Sequence, residues 1–556
     1  MTRFLSILLF CACLTAQGTS YYFNSTNGNN SNPGTAVSPF ASLNKFGFGG
    51  SSLAPGDNCY CAGNVGYANY LQFSGTSNAP VTITNWGTAT WGLAGTPAAP
   101  ALRLSGGAWL RVFGGYFTNV EYGVYGTSIT NCEFGNIAVS LCTRAFFVYI
   151  NSVSNYYHDL HLTNAIPDNS SCNDGGSGLM WMGTYSGLSD HANFNIFERI
   201  FFTRNGHHGL SLSGTSNAIL NCTFPNPVWY QSQCAAPHVV GQTTLTNTVW
   251  GGGREVDSGG DLTGYNLYQS NHFSSSGFVP DCPGALQLEG EGNDVVRNNW
   301  FDQNAVAAIS IYGNGQSVQQ GSNNIYNNSI TMCGSNYTFY TSGQLVQVLY
   351  AEYQVPIFCF GTTNNAFINN ITWNNFNPIW NMFPTGTLLP AINDFRGNIT
   401  NTDPLFVNGT ANSILTLNAN PVLFPDLHLQ AGSPALGTGQ PLTGITSASG
   451  TGTTFTVTNG GVFFGGLTAC SRTIPADTIW IIGTSQSAQI ASISGNTITT
   501  ATPLTWTQGQ GLALSSAPNI GAYGLLAGLT INGAGNAQTL NLNCVGAGAP
   551  MKIITQ

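Results

Sequence analysis

The sequence predicts an all-β chain built as a solenoid, a stack of short strands wound into one long coil. Between about residue 178 and residue 373 one unit recurs, in which an alternating apolar strand is followed by a turn of small residues and an Asn-rich strand. The first half of the unit begins at Gly209, Gly284 and Ala307, and the second half begins at Asn221, Asn298, Asn327 and Asn369. Repeats of about 20 to 50 residues are typical of solenoids, because one unit cannot bury its own apolar face and stacking supplies the core. We expect the four asparagines to form an internal ladder of side-chain amides at one turn.

The amino-acid composition disfavours some classes of binding partner. The chain has 556 residues, of which only 6% are charged, against roughly 25% in an ordinary soluble domain. Its net charge is -9 and its pI is about 5.2. Nucleic acids and anionic membranes are held mainly through Lys and Arg, so both are disfavoured as partners.

Residues 1–18 have the layout of a secretory signal peptide. Arg3 precedes an apolar run from Leu5 to Leu14, and small residues follow at Ala16 and Gly18. We therefore expect a secreted, extracellular protein without a membrane span. Removing this segment leaves twelve of the fourteen cysteines, an even number that predicts disulfides whose pairing stays open.

Changes in composition predict the order of domains. After the signal peptide, residues 19–62 form an N-terminal cap, which the open end of a coil needs to cover its core. Residues 63–440 form the coil itself. Residues 441–516, rich in Thr, Gly, Ile and Ser, form an inserted β module, and residues 517–556 form a final rung segment and a C-terminal tail.

Several motifs together carry a family resemblance. They are Tyr21-Tyr-Phe-Asn, Pro55-Gly-Asp, the Asn-rich rungs, Leu427-His-Leu-Gln-Ala-Gly-Ser-Pro-Ala and Pro518-Asn-Ile-Gly-Ala-Tyr. With these motifs the chain resembles secreted right-handed parallel β-helix proteins of the pectate lyase superfamily. The resemblance implies that fold, with a small C-terminal β module added here. It leaves the activity open, because the superfamily includes polysaccharide lyases, glycoside hydrolases, epimerases and adhesins.

A local excess of acidic residues indicates a candidate catalytic site. Strand alternation turns Gln287 and Glu289 outward, and it turns Asp257 outward one rung earlier. Because stacked rungs lie ~4.8 Å apart, we expect Asp257 and Glu289 to be direct neighbours. They are the candidate acid and base for cleaving a glycosidic bond. Surface ion pairs with Arg254 or Arg297 are the structural alternative.

Other residues on this face are candidates for binding. Carboxylate oxygens suit Ca²⁺, and the candidate ligands are Glu255, Asp261 and Glu291. The candidate substrate-binding residues are Gln287, Tyr312, Arg297 and His208. Superfamily lyases often use a Lys or Arg base, but the only lysines are Lys45 and Lys552, so Arg254 and Arg297 are the candidates for the base of a lyase.

One rung is predicted to be unusually apolar for a polysaccharide groove. Alternation from Leu179 turns Trp181 inward and Met180 and Met182 outward.

Two functional hypotheses follow. The first is a secreted carbohydrate-active protein that cleaves a polysaccharide, as hydrolase or lyase. The second is a noncatalytic extracellular β-helix that acts as a structural, adhesin or glycan-binding protein. Either hypothesis makes a polysaccharide or glycan the expected partner, and both leave the oligomeric state open.

Overall fold

The structure is a computed structural model. It describes residues 18–47, 50–66, 69–92, 99–165, 180–183, 191–203, 209–225, 256–274, 284–302, 304, 307–312, 321–333, 337–341, 344–348, 355–360, 363–375, 381–383, 393–400, 402–408 and 425–523. Of these, residues 86–87, 164–165, 225, 256–263, 289–291, 312, 337–341, 344–348, 360 and 381–383 are described by their backbone alone. The predicted signal peptide lies outside the described residues, apart from Gly18.

Within the residues that the structure describes, the coil is a single parallel set of 32 strands. Its register divides into three columns, which we name sheets A, B and C, and each turn of the coil passes through A, B and C in that order. Two long strands, Tyr116–Thr127 and Ala138–Tyr149, run through sheet C and continue into sheet A. This arrangement confirms the predicted all-β parallel β-helix.

The strands of the three sheets follow in chain order. Sheet A contains Asn69–Leu71, Leu102–Ser105, the second parts of Tyr116–Thr127 and Ala138–Tyr149, Met180–Met182, Leu210–Leu212, Val256–Gly264, Gly284–Gly292, Ala307–Tyr312, Ile357–Phe360 and Asn381–Phe383. Sheet B contains Ser20–Asn24, Asn58–Asn64, the first part of Val81–Trp91, Leu110–Phe113, Glu133–Gly135, Tyr156–His158, Ile196–Glu198, Ala218–Leu220, Leu267–Gln269, Val295–Arg297, Asn324–Tyr326, Ala366–Ile368 and Asp394–Arg396. Sheet C contains the second part of Val81–Trp91, the first parts of the two long strands, His161–Ala165, Phe201–Thr203, Thr223–Pro225, His272–Ser274, Trp300–Asp302, Ser329–Thr331, Ile371–Trp373 and Ile399–Thr400.

The remaining elements are short. The cap contains a 3-10 helix, Leu43–Phe46. Small pairings join Ser152–Val153 with Ala192–Asn193, Tyr337–Thr341 with Gln344–Val348, and Phe406–Asn408 with Asp426–Leu429. The C-terminal β module has six strands in one sheet, Thr443–Gly444, Gly450–Thr456, Thr478–Ile481, Ser487–Ser494, Thr497–Trp506 and Gly511–Ala513, and a hairpin of Leu467–Ala469 and Arg472–Ile474.

Stacked side chains of the same kind fill the inside of the coil. On sheet C, Phe202, Phe224, Phe273 and Phe301 occupy one inward column, and neighbouring ring centres lie 4.5 to 4.9 Å apart in nearly parallel planes. All four are almost completely buried. Offset stacking adds about 0.5 to 1.5 kcal/mol for each aromatic pair beyond the burial of apolar area.

Two adjacent asparagines have different structural roles at the turn between sheets B and C. Asn298 adopts a left-handed backbone conformation with φ of 54°, which Asn tolerates better than most residues. The next residue, Asn299, is fully buried and its amide joins the ladder. The predicted ladder therefore exists, but Asn271, Asn299, Asn328 and Asn370 form it, one residue after the positions expected on most rungs. The other predicted positions take the same left-handed turn: Asn221, Asn327 and Asn369.

The β module packs on the outer face of sheet B. Its apolar residues form one buried cluster with outward residues of that sheet, among them Ile196, Leu220 and Leu267. Two ion pairs tie the module to the coil, Arg297 with Asp477 and Arg472 with Glu198. The outer face of sheet B is therefore occupied along much of its length.

An ionic network lies at one end of this contact. His158 contacts Glu133 at 3.2 Å and Asp159 at 2.7 Å. Arg199 links Asp159 to Glu198, which also accepts hydrogen bonds from Arg472 of the module. The network thus couples rungs of the coil to the module.

The described cysteines differ from the expectation of disulfides. The free thiols within the described residues are Cys59, Cys61, Cys132, Cys142, Cys222, Cys359 and Cys470. The sulfur of Cys333 hydrogen-bonds to the carbonyl of Thr331 and to the side-chain amide of Asn304. Most of these cysteines are completely buried among apolar side chains, and burial raises the pKa of the Cys142 and Cys222 thiols to about 12. They act as small core residues. The other predicted partners, Cys172, Cys234, Cys282 and Cys544, lie outside the described residues.

A search of the described part for a helix long and apolar enough to span a bilayer found none.

Candidate functional site

The predicted carboxylates lie on sheet A, but they are not opposite each other. The register pairs Asp257 with Gln287, and it pairs Glu289 with Gly259. The two acidic positions are therefore diagonal, one rung and two residues apart, about 8 Å between Cα atoms from standard strand spacings. The expectation of direct neighbours is wrong, because equal spacing within each strand does not fix the register between strands.

Two predicted substrate-binding residues are buried. Arg297 is 4% exposed and belongs to sheet B. It donates hydrogen bonds to both oxygens of Asp477, at 2.6 and 2.8 Å, and further bonds to Gln269 and Tyr326. Its charge is neutralised within the contact with the module, which corrects the predicted role in binding substrate. Gln287 is on the outer side of sheet A as expected, yet only 2% exposed.

The other predicted site residues are placed only in part. Tyr312 follows Glu289 on the next rung. Asp261 and Glu291 lie on neighbouring strands of sheet A, where the register shifts between Gly259 and Thr263. Arg254, Glu255 and His208 lie outside the described residues.

The Ca²⁺ hypothesis concerns Glu255, Asp261 and Glu291. No group of three His, Cys, Asp or Glu residues suited to a metal occurs among the residues that the structure describes. The side chains of Asp261 and Glu291 are outside that description. A Ca²⁺ site at these carboxylates stays a prediction.

A different set of residues gives sheet A a distinctive outer face. Five consecutive rungs place Tyr70, Arg103, Tyr125, Phe147 and Trp181 in one column of paired positions. Neighbouring positions in such a column are ~4.8 Å apart. Each rung therefore adds a ring or a guanidinium to one continuous row.

Arg103 lies between two aromatic rings. Its guanidinium carbon is 5.0 Å from the ring centre of Tyr70 and 5.1 Å from that of Tyr125. One guanidinium nitrogen also donates a 3.1 Å hydrogen bond to the Tyr70 hydroxyl. A planar guanidinium stacks on aromatic faces while its edge keeps hydrogen-bond donors available.

Arg144 performs a similar role in the adjoining column, where it pairs in register with Tyr122. Its guanidinium carbon is 4.6 Å from the ring centres of both Phe147 and Trp181 and 5.9 Å from that of Tyr122. The two columns therefore form one surface.

Ring contacts hold this surface together. Phe147 stacks on Tyr122 at 5.3 Å and on Tyr149 at 5.0 Å. The hydroxyls of Tyr125 and Tyr149 share a short hydrogen bond. Burial, and then this bond, raise the pKa of Tyr125 to about 12, so the phenol stays protonated at neutral pH. We call the whole set the aromatic–arginine face; its members are Tyr70, Arg103, Tyr122, Tyr125, Arg144, Phe147, Tyr149 and Trp181.

The exposure of Trp181 corrects a prediction from the sequence. Met180 and Met182 are fully buried inside the coil, whereas Trp181 points outward and is half-buried among the rings. This rung therefore does not interrupt the groove with an apolar surface. It contributes Trp181, the last ring of the aromatic–arginine face. Leu179, from which the alternation was counted, lies outside the described residues.

The column continues toward the predicted catalytic residues. Trp181 pairs with Ser211, and Ser211 pairs with Asp257. Asp257 is thus two rungs beyond Trp181, about 10 Å along the coil. The side chain of Ser211 between them is 2% exposed.

Sequence reasoning missed the aromatic–arginine face because its rungs lie before the clearest repeats. A signal was present: Tyr122, Tyr125, Phe147 and Tyr149 recur in two segments of equal length, 116–127 and 138–149, that alternate with small or apolar residues. Aligning these two segments would have placed the rings in columns.

Comparisons with known proteins concern the fold. No family model matches the sequence, and a search of curated proteins found no match. Among solved structures, the chain is similar to a pectate lyase, at 16% identity over 78% of this chain and 94% of the other, with a TM-score of 0.41. It is also similar to a lacto-N-biosidase from Eubacterium ramulus, at 11% identity over 68% of this chain and 67% of the other, with a TM-score of 0.45. A third is a rhamnogalacturonan lyase, at 17% identity over 70% of this chain and 91% of the other, with a TM-score of 0.42. The assignment of a parallel β-helix to this chain is based on the strand register of its own structure.

Proposed function

We propose that this protein is a carbohydrate-active β-helix protein that binds an extended polysaccharide along the outer face of sheet A. The observation that carries the proposal is the aromatic–arginine face, which presents rings and two guanidinium groups over consecutive rungs. Aromatic rings offer apolar faces against which the C–H faces of sugar rings stack. Polar groups at the ring edges then fix orientation through hydrogen bonds.

The shape of the face favours a long chain over a small ligand. Its side chains follow the axis of the coil, from Tyr70 to Trp181, across four inter-rung steps of ~4.8 Å, or roughly 19 Å. Arg103 and Arg144 supply donors suited to sugar hydroxyls and to carboxylates. A polymer that repeats along its length can use each rung in turn.

Binding assays test this proposal. Affinities of the purified protein are measured for a panel of neutral and uronate polysaccharides, and Trp181→Ala is compared with the wild type. Because Trp181 ends the ring column, we expect the variant to lose about tenfold in affinity, equal to about 1.4 kcal/mol. Tyr265→Ala is the matched control, since Tyr265 is an exposed aromatic at 65% exposure outside the face. Equal affinities for the wild type and Trp181→Ala would refute the proposal.

We further propose that bound polysaccharide is cleaved beside the face, with Asp257 and Glu289 as acid and base. Their diagonal register gives about 8 Å between Cα atoms. Both positions therefore lie within reach of one glycosidic bond, which a carboxyl pair can cleave with inversion or with retention. The anomeric configuration of the product, measured by NMR, distinguishes the two outcomes.

Product analysis tests the proposed cleavage. New reducing ends without ultraviolet absorbance indicate hydrolysis, and absorbance from unsaturated ends indicates a lyase, which would move the base to Arg254. For hydrolysis, Asp257→Asn and Glu289→Gln should each remove most of the activity while the melting temperature and the affinity for polysaccharide persist. Full activity in both variants would remove these residues from the mechanism.

A noncatalytic glycan-binding protein is the second candidate. The burial of Ser211 and Gln287, which flank Asp257 in its column, favours it. It predicts binding to the same face without any product. Under either function we propose secretion, supported by the pattern of residues 1–18, and a contribution of Ca²⁺ at Glu255, Asp261 and Glu291 stays part of the first proposal.

A further inference from the structure

Sheet C carries a second row of outward side chains, on a different side of the coil from the aromatic–arginine face. Tyr116, Ala138, His161, Phe201 and Thr223 pair in one column over five rungs. We call this row the sheet C strip. Tyr116 is 42% exposed and Phe201 is 36% exposed.

The strip contains both large and small residues. His161 and Phe201 meet edge to face with ring centres 4.9 Å apart, and Ala138 separates this pair from Tyr116. Thr223 follows on the next rung. The aromatic rings of the strip therefore protrude beyond the small side chains of Ala138 and Thr223.

Hydroxyl groups flank the rings. The adjoining outward column, two residues further along each strand, contains Thr118, Ser140, Thr163 and Thr203. None of the nine outward positions in the two columns is Asp, Glu, Lys or Arg. This is a surface of rings and hydroxyls without formal charge.

The C-terminal end of the same column is closed. After Thr223 come His272 and Trp300, whose rings stack 4.0 Å apart. Trp300 meets Tyr523 edge to face at 5.9 Å, and Tyr523 lies 4.6 Å from the ring of His428. The segment around Tyr523, which follows the β module, and the strand Asp426–Leu429 therefore close the strip at one end.

We propose that the sheet C strip is a second binding site, specific for a neutral polysaccharide. Stacked rings bind the C–H faces of sugars, and the half-buried hydroxyls of Thr118, Thr163 and Thr203 exchange hydrogen bonds with sugar hydroxyls. A polyanion would find no cation in the strip. A purely apolar protein surface would displace water from the threonine hydroxyls without replacing its hydrogen bonds, which costs free energy.

This site goes beyond the function proposed for sheet A and does not depend on it. The aromatic–arginine face contains two guanidinium groups, whereas the strip contains none. The two faces should therefore differ in ligand. A protein with both would hold a neutral polysaccharide on one side of the coil while the other side binds its own partner.

Affinity measurements on the full-length mature protein test the proposal. The probes are a mixed-linkage β-glucan, a xylan and a galactomannan, with polygalacturonate for comparison. We expect Tyr116→Ala/Phe201→Ala to weaken binding of a neutral polysaccharide by about tenfold or more at an unchanged melting temperature. Phe194→Ala/Tyr265→Ala is the matched control, because it removes two exposed rings outside both faces. Trp181→Ala separates the two sites, since it should leave the affinity of the strip unchanged.

Three results would overturn the proposal. In the first, the wild type binds none of the neutral probes. In the second, the strip variant binds them as tightly as the control variant does. In the third, sedimentation shows that the wild type is an oligomer and the strip variant a monomer, which would make the strip a contact between copies of the chain. Loss of binding in Trp181→Ala with retention in the strip variant would place the neutral glycan on sheet A instead. If no polysaccharide binds to the aromatic–arginine face, the results expected for the sheet C strip stay the same. The two proposals can therefore be refuted independently.

Discussion

Asn298 and Asn299 are adjacent, yet their side chains have different roles. Asn299 accepts hydrogen bonds from the backbone N–H and the side-chain amide of Asn271, and it donates to the carbonyl oxygen of Tyr268 and the side-chain oxygen of Asn328. Asn298 supplies the left-handed turn. The sequence shows that an Asn pair recurs, but which member turns inward depends on the turn geometry and is not fixed by the repeat.

Substitution of the two asparagines should therefore have unequal effects. Asn299→Ala leaves the buried N–H of Asn271 without this acceptor and removes one hydrogen bond from the carbonyl of Tyr268. A buried donor left unsatisfied costs about 1 to 3 kcal/mol of unfolding free energy. Asn298→Gly keeps the positive φ and should change stability by less than about 1 kcal/mol. Urea unfolding of both variants measures the difference. Similar losses in the two variants would contradict the assignment of the ladder.

Arg297 gives a second prediction about a single residue. Removing its side chain in Arg297→Ala leaves Asp477 buried at the contact between coil and module, and loss of one partner of a buried pair costs about 3 to 5 kcal/mol. The double variant Arg297→Met/Asp477→Leu removes both charges and should recover most of that loss. Unfolding monitored by urea titration compares the variants. A double variant no more stable than Arg297→Ala would mean that the pair itself, and not the unpaired carboxylate, sets the cost.

At the scale of elements, the strands were easier to predict than their register. Alternation within a strand placed Leu210 and Leu212 inside and Gln287 outside, as found. The pairing of Asp257 with Gln287, and the phase of the strand Met180–Met182, depend on turn lengths between rungs, which alternation does not contain. A shift of one residue moves a whole strand's side chains to the opposite face, and Trp181 is the case in which this changed the functional interpretation.

The contact between the β module and sheet B should respond to pH. Burial by itself lowers the pKa of His158, but hydrogen bonds to Glu133 and Asp159 outweigh it and raise that pKa. A raised pKa means that the folded state binds the proton more tightly, so this contribution is complete below about pH 6.5 and declines as the pH rises through the folded pKa. Burial by itself would raise the pKa of Glu133 and Glu198, but hydrogen bonds from His158 and Tyr156 respectively, with nearby arginines, lower it. Their contribution is present above about pH 4.3 and declines as the pH falls further.

Melting temperatures measured from about pH 3 to pH 9 check this dependence. The wild type should have its highest melting temperature between the two limits, with a decline on both sides. His158→Gln should lose the dependence above about pH 6.5 and keep the acid limb. An unchanged alkaline limb in the variant would show that His158 does not couple the module to the coil.

At the scale of the whole molecule, charge is scarce and unevenly used. Among the arginines that the structure describes, Arg111, Arg199, Arg297, Arg396 and Arg472 form ion pairs with carboxylates. Arg103 and Arg144 stack between aromatic rings on one face. Composition predicted a partner that is not bound through bulk electrostatics, and the location of these two arginines identifies where we expect that partner to bind.

The repeat predicted the coil because stacking is the only way for such units to bury an apolar face. The binding face was not predicted in the same way. It requires Tyr70, Arg103, Tyr125, Phe147 and Trp181, which are separated by up to 34 residues between neighbours in the column, to meet in one row. The connecting segments differ in length, so only the folded register brings these residues together.

The most direct test of the central claim is a crystal structure of the protein with an oligosaccharide from the polysaccharide that it binds most tightly. We expect sugar rings to stack on Trp181, Phe147 or Tyr125 with carbon atoms about 4 Å apart, and Arg103 or Arg144 to donate hydrogen bonds to the sugar. An oligosaccharide bound elsewhere, with these rings uncovered, would contradict the account.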